Sequence, residues 1–333
     1  MDKIVRLDQS ERNELFRETA VLMGIPEAIV EKDFWVCWIL KYLFNASSLS
    51  GDVIFKGGTS LSKVFGIIER FSEDVDLILN WEVLGVEKDE PRIDRSKNKQ
   101  DKYNKKVNEK AQIYIRDTLT GMMKSDLGEL KIDGLDADID TDDPFVINVT
   151  YPKAFENSYI RPVVRLEIGP LASWVPHEEH TIKPYAAEQF PDVFDDPSCR
   201  VVAIKAERSF WEKATILHQE AHRSAERMTP LRYSRHYYDL YKMALKPVKE
   251  SALSDLDLLI GVADFKMKFY PCAWANYESA KPGTLRLIPD DENVKRLRDD
   301  YSAMREMIFG EVPGFDEIVS TLAELEKEIN KKE

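Results

Sequence analysis

Two short strings constrain this chain more than anything else in it: Lys56-Gly57-Gly58-Thr59-Ser60, and Ser72-Glu73-Asp74-Val75-Asp76-Leu77 shortly after. Before the glycines, Asp52-Val53-Ile54-Phe55 is a β-rich run. After them, Leu61, Val64, Phe65, Ile67 and Ile68 recur at a helical period, which predicts an amphipathic helix. Val75, Leu77 and Leu79 then alternate with Asp76, Ile78 and Asn80, as on a strand. Residues 52–80 therefore read as strand, glycine turn, helix, strand.

The chemistry of this unit follows from its residue types. Side chains alternate along a strand, so Asp74 and Asp76 share a face. Two carboxylates that close repel unless a cation lies between them. Oxygen-only ligands suit Mg²⁺, with Mn²⁺ as the alternative, and Mg²⁺ also takes ligands from a triphosphate. A Gly-Gly-Thr turn opening a helix offers free N–H groups and a hydroxyl where phosphate binds well. Either string alone is weak evidence, since Asp-x-Asp is frequent on exposed strands and Gly-Gly-Thr is an ordinary turn. Joined by one helix, they predict a site for a metal-bound nucleoside triphosphate.

The remaining chain predicts a frame around that unit. Ser10 reads as the N-cap of a first helix, and Pro26 opens a second that runs to about Phe44. Glu87 to about Lys131 is charged, mostly helical, and reads as an insertion. Within it, Arg92–Lys110 holds eight Lys/Arg against three Asp/Glu, a basic island that is either a solvated surface or a binding patch. Leu135–Asp140 and Phe145–Tyr151 predict a hairpin, and Pro162–Gly169 another strand. From about Ala203 the period is helical. The expected organisation is residues 1–45 as N-terminal helices, 46–175 as an α/β core carrying the insertion, and 176–333 as a helical C-terminal lobe. The fold class is α+β.

Composition sets outer bounds. With 47 Lys/Arg against 60 Asp/Glu the net charge is −13, which argues against binding nucleic acid through overall basicity but leaves room for a local patch. The longest apolar-leaning run, Phe34–Phe44, is broken by Lys41 and too short to span a bilayer. The N-terminus lacks a signal-peptide pattern. Cys37, Cys199 and Cys272 are scattered, so neither a disulfide framework nor a zinc ribbon is expected, and a cytoplasmic location fits. His218-Gln219-Glu220-Ala221-His222 has Gln219 where a zinc protease needs Glu. Asp136, Asp138, Asp140 and Asp142 alternate as in a calcium loop, but Thr141 replaces its glycine and Ile147 its bidentate glutamate, so a polar strand face is expected. His177 and His180 are expected to cap a loop.

The two strings, with the helix between them, resemble the signature of the DNA polymerase β-like nucleotidyltransferase superfamily. The fuller strings Phe55–Lys63 and Arg70–Leu77, with Glu31-Lys32-Asp33-Phe34-Trp35-Val36 upstream, resemble the AbiEii/AbiGii toxin family of bacterial toxin–antitoxin and phage-defence systems. So do Glu207–Lys213 and Arg235-His236-Tyr237-Tyr238-Asp239-Leu240 downstream. The matches span residues 31–240. The interval from Thr59 to Asp74 is longer than in the shortest superfamily members, implying a longer helix or turn.

The resemblance implies a polymerase β-like core, a mixed sheet flanked by helices, and NMP transfer from an NTP to an acceptor, RNA at the 3′ end of tRNA. It implies that Asp74 and Asp76 hold metal, with Glu167 as candidate third carboxylate; the other reading of Glu167 is a strand acid paired with Arg165. Lys56, Gly57, Gly58, Thr59 and Ser60 would bind the triphosphate, with Thr59 on its β/γ-phosphates. Lys213 would neutralise charge, and Asp239 would act as orienter or base. Arg208, Glu73 and Arg235 are secondary candidates. An antitoxin encoded next door is also implied. Other readings remain: transfer to a small molecule or a protein hydroxyl, or a catalytically silent interaction protein on the same fold.

Overall fold

The computed structural model describes residues 1–47, 51–157, 160–169 and 176–332. The described chain forms two compact units, one of residues 1–64 and 72–203, the other of residues 65–71 and 204–333.

The first unit is built on a mixed sheet in the order β3-β4-β5-β2-β1-β7-β6. Its strands are β1 (Val53–Lys56), β2 (Asp74–Leu79), β3 (Asp136–Ile139), β4 (Val146–Thr150), β5 (Val163–Gly169), β6 (His177–Ile182) and β7 (Cys199–Ile204). The helices are α1 (Asp2–Val5), α2 (Gln9–Met23), α3 (Glu27–Lys41), α4 (Gly57–Lys63), α5 (Lys97–Ile113), α6 (Gly121–Glu129) and α7 (Tyr185–Gln189). β1 runs antiparallel to β2, β2 parallel to β5, and the β3–β4 hairpin adds antiparallel to β5. Among the described residues the seven strands and flanking helices make the fold α+β.

α3 shows why the unit holds. Residues 28–40 are all buried, so a helix carrying Glu31, Lys32 and Asp33 must satisfy them internally. Glu31 accepts the backbone N–H groups of Ala154 and Phe155 at 2.8 and 3.2 Å. Lys32 donates to Glu73 at 3.0 Å and to the Arg161 carbonyl at 2.9 Å, while Arg161 N–H also donates to Glu73. Asp33 pairs with Lys63 at 2.8 Å and accepts the Tyr185 N–H at 2.6 Å. Burial pulls the Lys32 pKa down and pushes the Asp33 carboxyl up, each countered by its ion-pair partner.

Four sequence expectations change. Asp8, not Ser10, caps α2, accepting the Glu11 N–H at 2.9 Å. The helix after the glycines stops at Lys63; Ile67 and Ile68 are buried outside any helix. β6 and β7 lie where no strand is expected, β6 because its face is mostly polar and exposed. His177 and His180 sit on β6 rather than capping a loop.

The second unit is helical: α8 (Ala206–Ala221), α9 (Ser234–Ala244), α10 (Val248–Leu253), α11 (Leu256–Phe269), α12 (Asp291–Met304) and α13 (Phe315–Asn330). Its core includes Phe210, Trp211, Leu217, Tyr237, Tyr238, Leu240 and Leu322. It also holds the segment between α4 and β2. There Arg70 bridges Ile308, Phe71 N–H donates to the Met307 carbonyl at 2.8 Å, and Phe309 N–H to the Glu69 carbonyl at 2.6 Å. The long interval between Thr59 and Asp74 is thus an excursion into the helical unit, not a longer helix. No described helix is long and apolar enough to cross a membrane.

Candidate active site

Strand register assembles the first half of the site. In the parallel β2–β5 pair, Asp74 lies opposite Arg165 and Asp76 opposite Glu167. Opposed residues share a face, so three carboxylates and one guanidinium stand together, while Val75, Leu77, Leu166 and Ile168 are buried on the other side. On the other flank, Lys56 lies opposite Asp76 across the antiparallel β1–β2 pair.

Gly57 permits this closeness. It opens α4 at φ +81°, and a Cβ built there would lie 1.9 Å from Asp76 Oδ2. Only glycine combines that backbone angle with that approach. Thr59 and Ser60 are buried. The Thr59 hydroxyl donates toward the Asp74 and Ser72 carbonyls, 2.5 and 3.1 Å away, and Ser60 donates to the Gly57 carbonyl at 2.9 Å. The Thr59 hydroxyl thus ties α4 to the start of β2 and the Ser60 hydroxyl closes the first turn of α4, so the backbone amides are the candidate donors for a phosphate. Glu73, held by Lys32 and the Arg161 N–H, fixes the start of β2 from below.

Arg165 stands among the acids. Its Nη1 reaches Asp140 Oδ2 at 2.7 Å, its Nη2 Glu167 Oε1 at 3.7 Å, and its Nε Asp74 Oδ1 at 3.7 Å. Asp140 is fixed in turn by the Asn148 amide at 2.8 Å and the N–H groups of Asp142 and Asp143 at 2.9 and 3.0 Å. Those hydrogen bonds, Asn148 foremost, hold its carboxyl well below the usual carboxylate range.

Among the described residues no three His, Cys, Asp or Glu side chains are grouped as they would be around a bound metal. The donor chemistry nevertheless fits a hard divalent cation. The candidate ligands are carboxylate oxygens only, and Asp74 Oδ1 is buried with no hydrogen-bond partner. Two protein carboxylates suffice for Mg²⁺, whose remaining ligands come from water and phosphate.

A separate cluster lies in the helical unit. Asp239 is fully buried on α9 and receives Arg70 through Nε at 2.7 Å and Nη2 at 2.8 Å. Its Oδ2 also takes Lys213 Nζ of α8 at 2.8 Å, and Lys213 lies 3.2 Å from His236 Nδ1. Burial alone would raise the Asp239 pKa, but the two cations outweigh it and hold it far below normal. Burial lowers the Lys213 pKa against the pull of Asp239. His236 is driven well below its usual value by burial and then by Lys213 and Arg235, so its ring is neutral. Arg208 is buried, pairing with Glu212 at 3.1 Å and lying over the Phe265 ring.

Residues 38–321 match the family described as nucleotidyl transferase AbiEii toxin, type IV TA system. The chain belongs to this family. It is therefore a nucleotidyltransferase toxin of a type IV toxin–antitoxin system, with an NTP as substrate and an antitoxin as counterpart. No curated protein matches it. Among solved structures it is similar to MenT4, a nucleotidyltransferase toxin from Mycobacterium tuberculosis H37Rv, at 14% identity and a TM-score of 0.43, covering 88% of this chain and 99% of that one. It is also similar to JHP933 from Helicobacter pylori, at 16% identity and a TM-score of 0.42, covering 92% of this chain and 94% of that one.

Sequence reasoning missed Arg70 and His236 in this AbiEii-family chain, and it placed Asp140 on a plain polar face. Asp140 ends an alternating acidic run, and Arg70 opens the family-like string Arg70–Leu77. Neither pattern says which partner each residue meets.

Proposed function

We propose that this toxin transfers NMP from an NTP to RNA, at the 3′ end of tRNA, in a Mg²⁺-dependent reaction. The observation that carries the reading is the shared face of Asp74, Asp76 and Glu167 beside a glycine-opened helix, with one Asp74 oxygen buried and without a hydrogen-bond partner. Asp74 and Asp76 hold the cation, with Glu167 as the third carboxylate. When bound there, a divalent cation neutralises triphosphate charge and acts as a Lewis acid at the phosphorus.

The chain's own residues do the rest. The amides of Gly58 and Thr59 receive phosphate oxygens, and Lys56, beside Asp76, adds positive charge. Lys213 neutralises charge that builds on the leaving pyrophosphate. Asp239 is its orienter rather than a base, because a carboxylate holding Arg70 at two points and Lys213 at a third has little basicity left.

RNA as acceptor is supported by α5. Lys97, Lys99, Lys102, Lys105 and Lys106 are exposed and, among the described residues, form no ion pair. Such a lysine face attracts a phosphate backbone even on an acidic protein. The antitoxin is expected to be encoded beside the toxin.

The test is to incubate pure protein with Mg²⁺, each α-labelled NTP in turn, and total RNA. Label in tRNA from one NTP or a subset supports the reading. Label in protein or a small molecule, with none in RNA, replaces the acceptor.

A further inference from the structure

Arg165 poses a problem for any cation on this face. A guanidinium that closes on Asp74 and Glu167 cancels the charge and fills the oxygens a cation would use. Yet its two contacts to those residues are both 3.7 Å, beyond hydrogen bonding, while Asp140 takes it at 2.7 Å. Arg165 Nε and Asp74 Oδ1 face each other across that gap, each buried and without a hydrogen-bond partner.

Asp140 is built to win this contest. It lies at the end of the β3–β4 hairpin, its Oδ1 taking the N–H groups of Asp142 and Asp143 and its Oδ2 the Asn148 amide. Asn148 lies opposite Arg165 in the β4–β5 register, so the acceptor is held directly over the strand that carries the arginine. We propose that Asp140 is a positioning residue for nucleotidyl transfer, drawing the Arg165 guanidinium off Asp74 and so leaving the Asp74 carboxylate to a divalent cation.

The inference rests on the reading that this carboxylate binds a cation, and it makes an ordering that the reading alone does not. In Asp140→Asn the amide nitrogen replacing Oδ2 faces two donors, Asn148 and Arg165. Arg165 then closes the gap to Asp74. In Arg165→Gln the competing guanidinium charge is gone.

The experiment is a Mn²⁺ titration of the full chain without nucleotide, read from the electron paramagnetic resonance of free Mn²⁺, on the wild type, Asp140→Asn, Arg165→Gln and the double variant. Thermal melts check that each is folded. Asp140→Asn should bind Mn²⁺ about tenfold or more weakly, the scale expected for a charge moving about 1 Å closer in a partly buried site. Arg165→Gln should bind as tightly as wild type or tighter, and the double variant should recover to that level. A merely structural role for Asp140 would leave the double variant as weak as Asp140→Asn, and that result overturns the inference. So does an Asp140→Asn protein that binds like wild type. If Asp140→Asn does not fold, Arg165→Gln decides alone: weaker binding than wild type overturns the proposal. A wild type that binds no Mn²⁺ overturns the cation reading and this inference with it, whereas binding with the wrong order overturns the inference alone.

Discussion

Arg70 and Asp239, 169 residues apart, meet at two points, Nε at 2.7 Å and Nη2 at 2.8 Å, with both side chains buried. Arg70 lies in the excursion that separates the glycine turn from the Asp-x-Asp strand, four residues before Asp74. Asp239 also receives Lys213. One carboxylate therefore anchors both the strap between the glycine turn and the Asp-x-Asp strand and the lysine proposed to act on the leaving group.

Removing that carboxylate strands two buried cations. Asp239→Asn should cost the fold roughly 3–5 kcal/mol, the usual penalty for breaking one side of a buried pair. Urea unfolding of the helical unit reads this as a lower midpoint at similar slope. A change under about 1 kcal/mol would mean the cations find other partners.

The same pair sets an acid limit. The Asp239 pKa is far lower in the folded chain than in the unfolded one, where it is about 3.9. The folded state thus takes up fewer protons on acidification. The stabilisation is complete above the unfolded value and is lost as pH falls below it toward the folded value. The advantage of wild type over Asp239→Asn in urea midpoint should therefore shrink from pH 5 to pH 2. A constant difference would contradict the assignment.

Much of this was legible. Gly57, Asp74 and Asp76 could be placed because a turn residue and a period of two are local properties, and the β3–β4 hairpin because its turn residues are local too. Glu31, Lys32 and Asp33 stood in a recognisable string, but their work as buried braces depends on residues 30 to 152 positions away, and no local pattern carries that. The helix expected through Ile68 failed because bridging to Ile308 and burial outweigh a helical period. Arg165 was seen only as a partner of Glu167, since its short bond is to a hairpin whose register the sequence does not state.

Gly57→Ala should damage the site directly. The new Cβ meets the Asp76 carboxylate at a backbone angle that alanine disfavours. Transfer should fall by about 100-fold or more, as when a preorganised group is displaced, with stability down by roughly 1–3 kcal/mol. Rates and melts on the purified variant check this; wild-type transfer would show that Asp76 is free to move.

Lys213→Ala should lose about 100-fold or more in rate, as for removal of other preorganised charge stabilisers. Lys213→Arg should recover only part, since a forked guanidinium does not fit a point-charge site already shared with Arg70. Single-turnover kinetics separate this from weaker NTP binding. An unchanged rate in Lys213→Ala removes the residue from the mechanism.

The most direct measurement is transfer of an α-labelled nucleotide to RNA by wild type, Asp74→Asn and Asp76→Asn, each with Mg²⁺ and with the metal chelated. The account predicts transfer by wild type with Mg²⁺ alone, and none by either variant, although both melt at or slightly above the apo wild-type temperature because repulsion between the acids is relieved. Full transfer by either variant, or wild-type transfer that survives chelation, would contradict it.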